Sequence, residues 1–175
     1  MPPAAAIRTA RLSLDPLRLG DAAAIARLHA DPRVSRYLLD GVPRTLRDAT
    51  IYIGWALSLA PPACVYAARR PGEADLIGLF SLVPFGEGGP LELGGKLAPA
   101  GWRGNLAFEA GTALIDHVFA DLGHDELVSA HHPDNRSVPA ILARLGFAEA
   151  GETSVFGSPA RLMRMTRADW VSRND

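Results

Sequence analysis

The sequence predicts an α/β protein in which a mixed β-sheet carries helices on its faces. Short turns that contain Gly or Pro join three successive strand-like segments between residues 64 and 99, which is typical of an antiparallel meander. A long amphipathic segment then leads to another strand, and a helical crossover of this kind makes the strands at its two ends parallel. Together the segments suit a central mixed sheet of about seven strands, flanked by about four helices.

The first third of the chain predicts one strand and two helices. Residues 11–19 alternate apolar and polar side chains, which indicates a strand. Asp21 is placed to cap the Ala-rich helix that follows, and Thr45 to cap a second helix that prolines end at 60–62. The segment 31–43 between them is punctuated by Pro and Gly, so a loop or a short helix is expected.

The remaining elements follow from periodicity and from their stop signals. In chain order they are strands at 64–70, 76–85 and 91–99, a helix from Leu106 to a stop at Gly123, a strand at 126–132, a helix from about Ser137 to Gly146, and strands at about 147–156 and 161–167. The strand at 126–132 is predicted to lie parallel to the strand at 91–97, and the last two strands to form a hairpin.

Composition limits the classes of function. A chain of 175 residues suits a single domain spanning 1–175, and its formal net charge of −1 argues against a nucleic-acid binder that works by bulk charge. The single cysteine, Cys64, excludes an internal disulfide and a cysteine metal cluster. The N-terminal segment lacks signal-peptide character, and no run of about 18 apolar residues is present. We therefore expect a cytoplasmic protein without membrane or nucleic-acid partners.

The loop Trp102–Ala107, "WRGNLA", lies between a predicted strand and a long predicted helix. It is either a plain connection or an anion site, because free N–H groups and the positive end of the helix dipole converge at a helix start. Gly104 lets the backbone approach a ligand closely, Asn105 tolerates a positive φ, and Arg103 adds a cation suited to phosphate. Spacing alone leaves both interpretations open.

The sequence around this loop resembles the acetyl-CoA-binding segment of the GNAT N-acetyltransferase superfamily, in particular the branch of ribosomal-protein N-terminal acetyltransferases. That branch has a strand of the type "A-E-I-G-Y-W-L-A-P" and a loop of the type "W-G-K-G-Y-A-T-E-A". The matching positions here are Glu92, Gly94, Leu97, Ala98, Pro99, Trp102, Ala107, Glu109 and Ala110. The segments "RTARLSLDPLRLGDAAAIARLHADPRVSRYL" and "HHPDNRSVPAILARLGFAEAG" resemble the opening and closing segments of the family, so the likeness spans roughly residues 8–151.

The resemblance implies acetyl-CoA as a cosubstrate and no metal. Backbone N–H groups from about Arg103 to Ala107 would bind the pyrophosphate, and the pantetheine arm would pair with the strand edge at Leu97 and Ala98. The residues implied in coenzyme binding are Leu97, Ala98, Trp102, Arg103, Gly104, Asn105, Leu106, Ala107 and Asn135. For Asn135, a turn-stabilising role is the alternative.

The reaction implied is acetyl transfer to a primary amine by direct attack in a ternary complex, which needs a base because a free amine is protonated at neutral pH. Glu92 matches the family's strand glutamate and is the first candidate, directly or through water; a solvated or salt-bridged carboxylate is the alternative. His131 and its neighbour His132 end the strand beside the expected cleft, so either could act as base or contact substrate, although an ordinary hydrogen-bonded histidine is the commoner case.

The acceptor is expected to be a peptide N-terminal amine or a small-molecule amine, with residues 21–60 shaping its entrance. The charges there, including Arg33, Arg36 and Asp40, form no acidic cluster of the kind that would indicate a polyamine. Asn105 and Gly95 stand where the family has a glycine and an aromatic residue, which keeps open a GNAT-fold module that binds CoA or acyl-CoA with little or no turnover. A monomer or a homodimer is expected.

Overall fold

The structure of the protein is a computed structural model that describes residues 5–38 and 42–174. The strands are β1 (Ile7–Arg8), β2 (Ser13–Pro16), β3 (Cys64–Arg69), β4 (Leu76–Pro84), β5 (Leu91–Leu97), β6 (Glu126–His131), β7 (Ala148–Val155) and β8 (Ser158–Thr166). The helices are α1 (Ala22–Ala30), α2 (Pro32–Ser35), α3 (Leu46–Ser58), α4 (Leu106–Asp116), α5 (Ser137–Leu145) and α6 (Arg167–Asn174). Asp40, named above at the acceptor entrance, lies outside the described residues.

The strands form one mixed sheet in the order β1-β2-β3-β4-β5-β6-β8-β7. The meander of β3, β4 and β5 is antiparallel, and β5 and β6 are parallel, so both predictions are confirmed. The described residues contain eight strands and six helices, however, rather than seven strands and about four helices. The predicted strand at 11–19 is shorter and pairs with the additional two-residue strand β1.

Helices cover both faces of the sheet. Helices α1 and α3 pack on one face through side chains such as Ile25 and Ile53, both fully buried. Helices α4 and α5 pack on the other through Leu114 and Leu145, and Trp170 of α6 packs against the same cluster. We call these the α1/α3 face and the α4/α5 face. Alternation along β5 divides its side chains between them, and this division positions the site.

The two predicted helix caps differ in outcome. The Thr45 side chain accepts from the Asp48 N–H at 3.1 Å, which confirms the cap of α3. Asp21 precedes α1 as predicted but makes no side-chain cap hydrogen bond. Its carboxylate instead accepts from the Arg18 N–H and from the buried Arg69 guanidinium. The prediction was wrong because a long-range ion pair outcompetes the local cap.

Across residues 5–38 and 42–174, no helix has the length and apolar character that a membrane crossing requires.

Candidate active site

Strands β5 and β6 pair only at their beginnings. Leu91 lies opposite Leu127, and Glu92 lies opposite Val128; beyond these pairs the two strands separate. The Ser129 Oγ donates to the Leu93 carbonyl at 2.8 Å across the start of the opening. The separation leaves a gap in the middle of the sheet, where backbone groups of both strands lack a ladder partner.

The gap-facing backbone groups of β5 belong to alternate residues. The Ala98 N–H donates to the Ile77 carbonyl at 2.8 Å on the β4 side, so the groups of Gly95 and Leu97 face the gap. The Trp102 indole Nε1 donates to the Leu97 carbonyl at 2.7 Å. A ligand in the gap would therefore meet the Gly95 N–H and C=O and the Leu97 N–H. The Ala98 N–H is already paired on the β4 side.

The loop after β5 leaves a run of backbone N–H groups without protein partners among the described residues. Gly104 and Asn105 have φ values of +83° and +61°, so the predicted positive φ of Asn105 is confirmed. The first helical hydrogen bond of α4 joins the Glu109 N–H to the Asn105 carbonyl at 3.0 Å. Within the part of the chain that the structure describes, no N–H group from Arg103 to Ala107 donates to a protein acceptor. These groups are free to bind an anion at the positive end of α4.

The Asn105 side chain turns toward α5, where its Oδ1 lies 3.5 Å from an Arg144 NH1. Two further cations border the loop besides Arg103. The Arg144 guanidinium stacks 4.8 Å from the centre of the Phe108 ring, and Arg11 lies beside Gly104, where an added Cβ would come within 3.4 Å of its NH1. Sequence reasoning missed Arg11 and Arg144 because both are distant from the loop in the chain. The three arginines suit a ligand with several phosphate charges.

Glu109 fixes the first turn of α4 to the N-terminal hairpin. Its carboxylate accepts from the Thr9 Oγ1 at 2.6 Å, the Arg11 N–H at 2.8 Å and the Arg11 Nε at 2.7 Å. Burial acts to raise the pKa of Glu109, but the hydrogen bonds and charge from Thr9 and Arg11 outweigh it and hold the pKa below its ordinary value. The carboxylate thus positions Arg11.

We expect Glu109→Gln to lower the melting temperature at pH 7 by about 3 °C, since an amide cannot accept both Arg11 and Thr9 as a carboxylate does. Because the folded-state pKa of Glu109 is depressed, its stabilisation is present above the unfolded value and is lost as the pH falls through the folded value. Melting curves from pH 7 to 3 should therefore converge for the two proteins. The exposed Glu73→Gln is the matched control. A constant difference at every pH would contradict the electrostatic account.

Glu92 lies at the closed end of the gap. Its Oε1 accepts from the Ala130 N–H at 3.2 Å, across from β5 to β6. Burial raises the pKa of Glu92 above its ordinary value, and the hydrogen bond from Ala130 offsets this only in part. Its neighbours Leu93 and Gly94 line a cavity in the gap, whereas Glu92 is not among the residues that line it.

The two histidines at the end of β6 project to opposite faces. His131 is buried, and its Nδ1 lies 3.0 Å from the His132 carbonyl, which is an acceptor and therefore fixes a proton on that nitrogen. The His132 ring lies 5.8 Å from the Tyr37 ring on the α1/α3 side, and its Nδ1 accepts from the Asp134 N–H at 3.1 Å. Of the two, His132 contacts a cavity-lining residue and His131 does not line the cavity.

A cavity of about 820 Å³ occupies the gap and extends to both sides of it. Helix α2 and the residues after it, including Arg36 and Tyr37, line one side. Helices α4 and α5 line the other, through Ala107, Gly111 and Leu142. Of the predicted coenzyme-binding residues, Leu97, Trp102, Ala107 and Asn135 line this cavity, and Arg103, Gly104, Asn105 and Leu106 form the adjoining loop; Ala98 contributes to a different hollow.

The Asn135 side chain stabilises a helix start and also lines the cavity. Its Oδ1 accepts from the N–H groups of Ser137 and Val138 at 3.1 and 3.2 Å, so it stabilises the first turn of α5. The same side chain lines the cavity. The turn-stabilising role is therefore present, and the amide nitrogen is left for a ligand.

Phe80 of β4 supplies the aromatic side chain that Gly95 lacks. The Phe80 ring lies so close to the Gly95 Cα that an added Cβ would come within 2.7 Å of two ring carbons. Phe80 also lines the cavity, so an aromatic wall stands beside the strand although the strand itself has glycine there. Sequence reasoning missed Phe80 because cross-strand pairing, not spacing, brings it to Gly95.

Among the described residues, no group of three or more His, Cys, Asp and Glu side chains is arranged to hold a metal ion.

Solved acetyltransferases share this architecture. An acetyltransferase (GNAT family) from Bacillus anthracis is 16% identical, with a TM-score of 0.80 over 94% of this chain and 99% of that chain. A probable acetyltransferase (GNAT family) from Chromobacterium violaceum is 22% identical, with a TM-score of 0.81 over 97% and 90%. A ribosomal-protein-S5-alanine acetyltransferase from Vibrio fischeri is 18% identical, with a TM-score of 0.74 over 95% and 98%. The fold is thus the acetyltransferase fold.

The sequence itself shows the family. Residues 11–148 match the profile of the acetyltransferase (GNAT) domain, which covers most of the chain. The chain belongs to the GNAT acetyltransferase family.

Proposed function

We propose that the protein transfers the acetyl group of acetyl-CoA to a primary amine. The observation that carries this proposal is the set of free N–H groups from Arg103 to Ala107, which open at the start of α4 beside the gap between β5 and β6. A helix start with free N–H groups binds phosphate through backbone alone. Family membership supports the same donor, because acetyl-CoA is the general acetyl donor of GNAT enzymes.

The residues fit coenzyme A in three respects. The loop offers free donors together with Arg103, and the Asn105 side chain turns to Arg144. The gap offers the Leu97 N–H and the Gly95 C=O to the amides of the pantetheine arm. The cavity volume of about 820 Å³ accommodates an extended ligand with room for an acceptor.

Bound acetyl-CoA would supply an activated thioester, and the protein would supply orientation and proton transfer. The Gly95 N–H faces the gap farther from the loop than the Leu97 N–H does, and it is the donor that we assign to the thioester oxygen as negative charge develops there. Glu92 takes the proton of the attacking amine through water, since its carboxylate accepts from Ala130 at the closed end of the gap and is not part of the cavity lining. His131 is the second candidate for the base or for a substrate contact, because a proton held on Nδ1 by a backbone carbonyl leaves Nε2 as the accepting nitrogen.

The acceptor is a peptide N-terminal amine or a small-molecule amine. The first is supported by the resemblance to the ribosomal-protein N-terminal acetyltransferases and by the similarity to the Vibrio fischeri enzyme. A CoA-binding module without turnover is the alternative. It is weakened by Asn105, which adopts the conformation usual for glycine, and by Phe80, which supplies the aromatic wall absent at Gly95.

Two measurements test the proposal. Acetyl-CoA at a hundred times its dissociation constant should stabilise the fold by about 2.7 kcal/mol, which a melting curve detects. Release of the CoA thiol should then depend on an added amine. A melting shift without thiol release for any amine would favour the binding module, and no shift at millimolar acetyl-CoA would exclude both.

A further inference from the structure

Lys96 is a partly buried cation for which the described residues provide no carboxylate. It lies opposite Leu79 of β4, whose side chain packs with α1 and α3, so Lys96 projects onto the α1/α3 face. Its Nζ lies 6.0 Å from the centre of the Tyr52 ring, and its side chain lines the cavity. An unpaired charge taken out of water is costly, so such a group calls for a partner.

Arg69 is the other cation that the sheet buries, and carboxylates neutralise its charge. Its guanidinium pairs with Asp21, and Asp15 lies 4.0 Å away. Lys96 has no comparable partner in the described residues, although burial lowers the pKa of Lys96 only to about 8. Lys96 is therefore mostly protonated at pH 7, so its positive charge lacks a neutralising anion.

The wall of the cavity is cationic on the same side. Arg36 lies 5.0 Å from the centre of the Tyr37 ring and has no carboxylate partner in the described residues. Arg33 is neutralised by Asp31, which accepts from its Nε and NH2 at 3.0 and 2.7 Å. No Asp or Glu of the described residues lines the cavity. An amine approaches as a cation, so this wall repels a simple or polycationic amine.

The coenzyme phosphates do not neutralise Lys96. The loop from Trp102 to Ala107 begins α4, which packs on the α4/α5 face. Lys96 projects onto the opposite face, where Tyr52 of α3 covers it. The missing anion must therefore arrive on the acceptor side of the gap.

We infer that the acceptor carries a carboxylate close to its reactive amine, and that Lys96 binds this carboxylate while Arg36 attracts it at the entrance. The inference rests on the proposed acetyl transfer, because that function makes the bound molecule an acceptor. The carboxylate site itself is defined by the chain's own residues. Such a carboxylate comes either from a free amino acid or from an acidic side chain at a peptide N-terminus. Both present the same chemistry to an ammonium group.

Calorimetry on the CoA-saturated protein tests the inference without turnover. One pair of probes is L-alanine and L-alaninamide, and the other is two peptides that begin with glutamate or glutamine and are otherwise identical. In at least one pair, the carboxylate form should bind about 10- to 100-fold more tightly, as a charge-assisted contact provides. The pair that shows the preference identifies the source of the carboxylate.

Lys96→Met keeps the apolar part of the side chain and should reduce the preference to less than about threefold. Lys96→Gln and the exposed Arg36→Gln provide the same comparison if the methionine variant does not fold. Arg27→Gln, at a surface pair with Asp75 outside this cavity, should keep the full preference. Equal binding within both pairs, or a preference that survives the loss of Lys96, would overturn the inference.

Turnover separates this inference from the proposed function. Thiol release with amines of every charge, without preference for the carboxylate, would overturn the inference and leave the transferase intact. Carboxylate-selective binding that depends on Lys96, without thiol release for any amine, would support the site and contradict the transferase.

Discussion

Ala107→Glu is expected to weaken coenzyme A binding about 100-fold, equivalent to about 2.7 kcal/mol. Ala107 is the second residue of α4, lines the cavity and contributes one of the free N–H groups. A glutamate there places its own carboxylate where the pyrophosphate is proposed to bind. The fold should not lose stability, since an acidic side chain in the first turn interacts favourably with the helix dipole.

Ala107→Gln is the matched control because it has nearly the same shape without the charge. We expect it to weaken binding by about tenfold or less, through crowding alone. Titration calorimetry with CoA, together with melting curves of the free proteins, separates the two effects. Equal affinities for the glutamate and glutamine variants would show that the helix start binds no anion, and the coenzyme site would have to be elsewhere.

The backbone of this site could be predicted from the sequence because its determinants are local. Gly104 and Asn105 are adjacent residues suited to positive φ, and Leu106 begins an apolar periodicity that runs to the stop at Gly123. The parallel pairing of β5 and β6 followed from a helical crossover between them. These features depend on the order of residues along one segment and not on what packs against it.

The elements that were missed lack such local signals. Strand β1 has only two residues, too few for any periodicity. Helix α6 buries none of its residues fully and is held through Trp170, which stacks on Phe119 at 5.8 Å and donates to Asp116 at 2.8 Å. Long-range contacts stabilise both elements, so propensity in a short window could not reveal them.

Side-chain environments were the least predictable part of the site. Alternation along β5 places Lys96 on the face opposite Leu97, but it does not show whether that face is covered. Helices α1 and α3 cover that face, so Lys96 is partly buried beside Tyr52. Period-two alternation assigns a face to a residue, whereas the burial of that face depends on helices far away in the chain.

Glu92→Gln is expected to lower kcat/KM for the amine about 100-fold while leaving CoA affinity unchanged. The amide oxygen still accepts the Ala130 N–H, so the bridge between β5 and β6 survives, but the side chain no longer takes up a proton. Because burial raises the pKa of Glu92, the wild-type rate should rise with pH on the acid side through that raised value. This limb should be missing from the pH profile of the variant.

The melting temperature provides an independent check of the raised pKa of Glu92. A carboxyl group whose folded-state pKa is raised stabilises the fold below its unfolded pKa and loses this contribution as the pH rises through the folded value. Glu92→Gln should therefore melt at a higher temperature than the wild type at pH 8, and the difference should disappear near pH 4. The exposed Glu87→Gln is the control and should change neither quantity. Unchanged kcat/KM together with this stability pattern would make Glu92 a structural residue, and the base would have to be sought among the other groups at the gap.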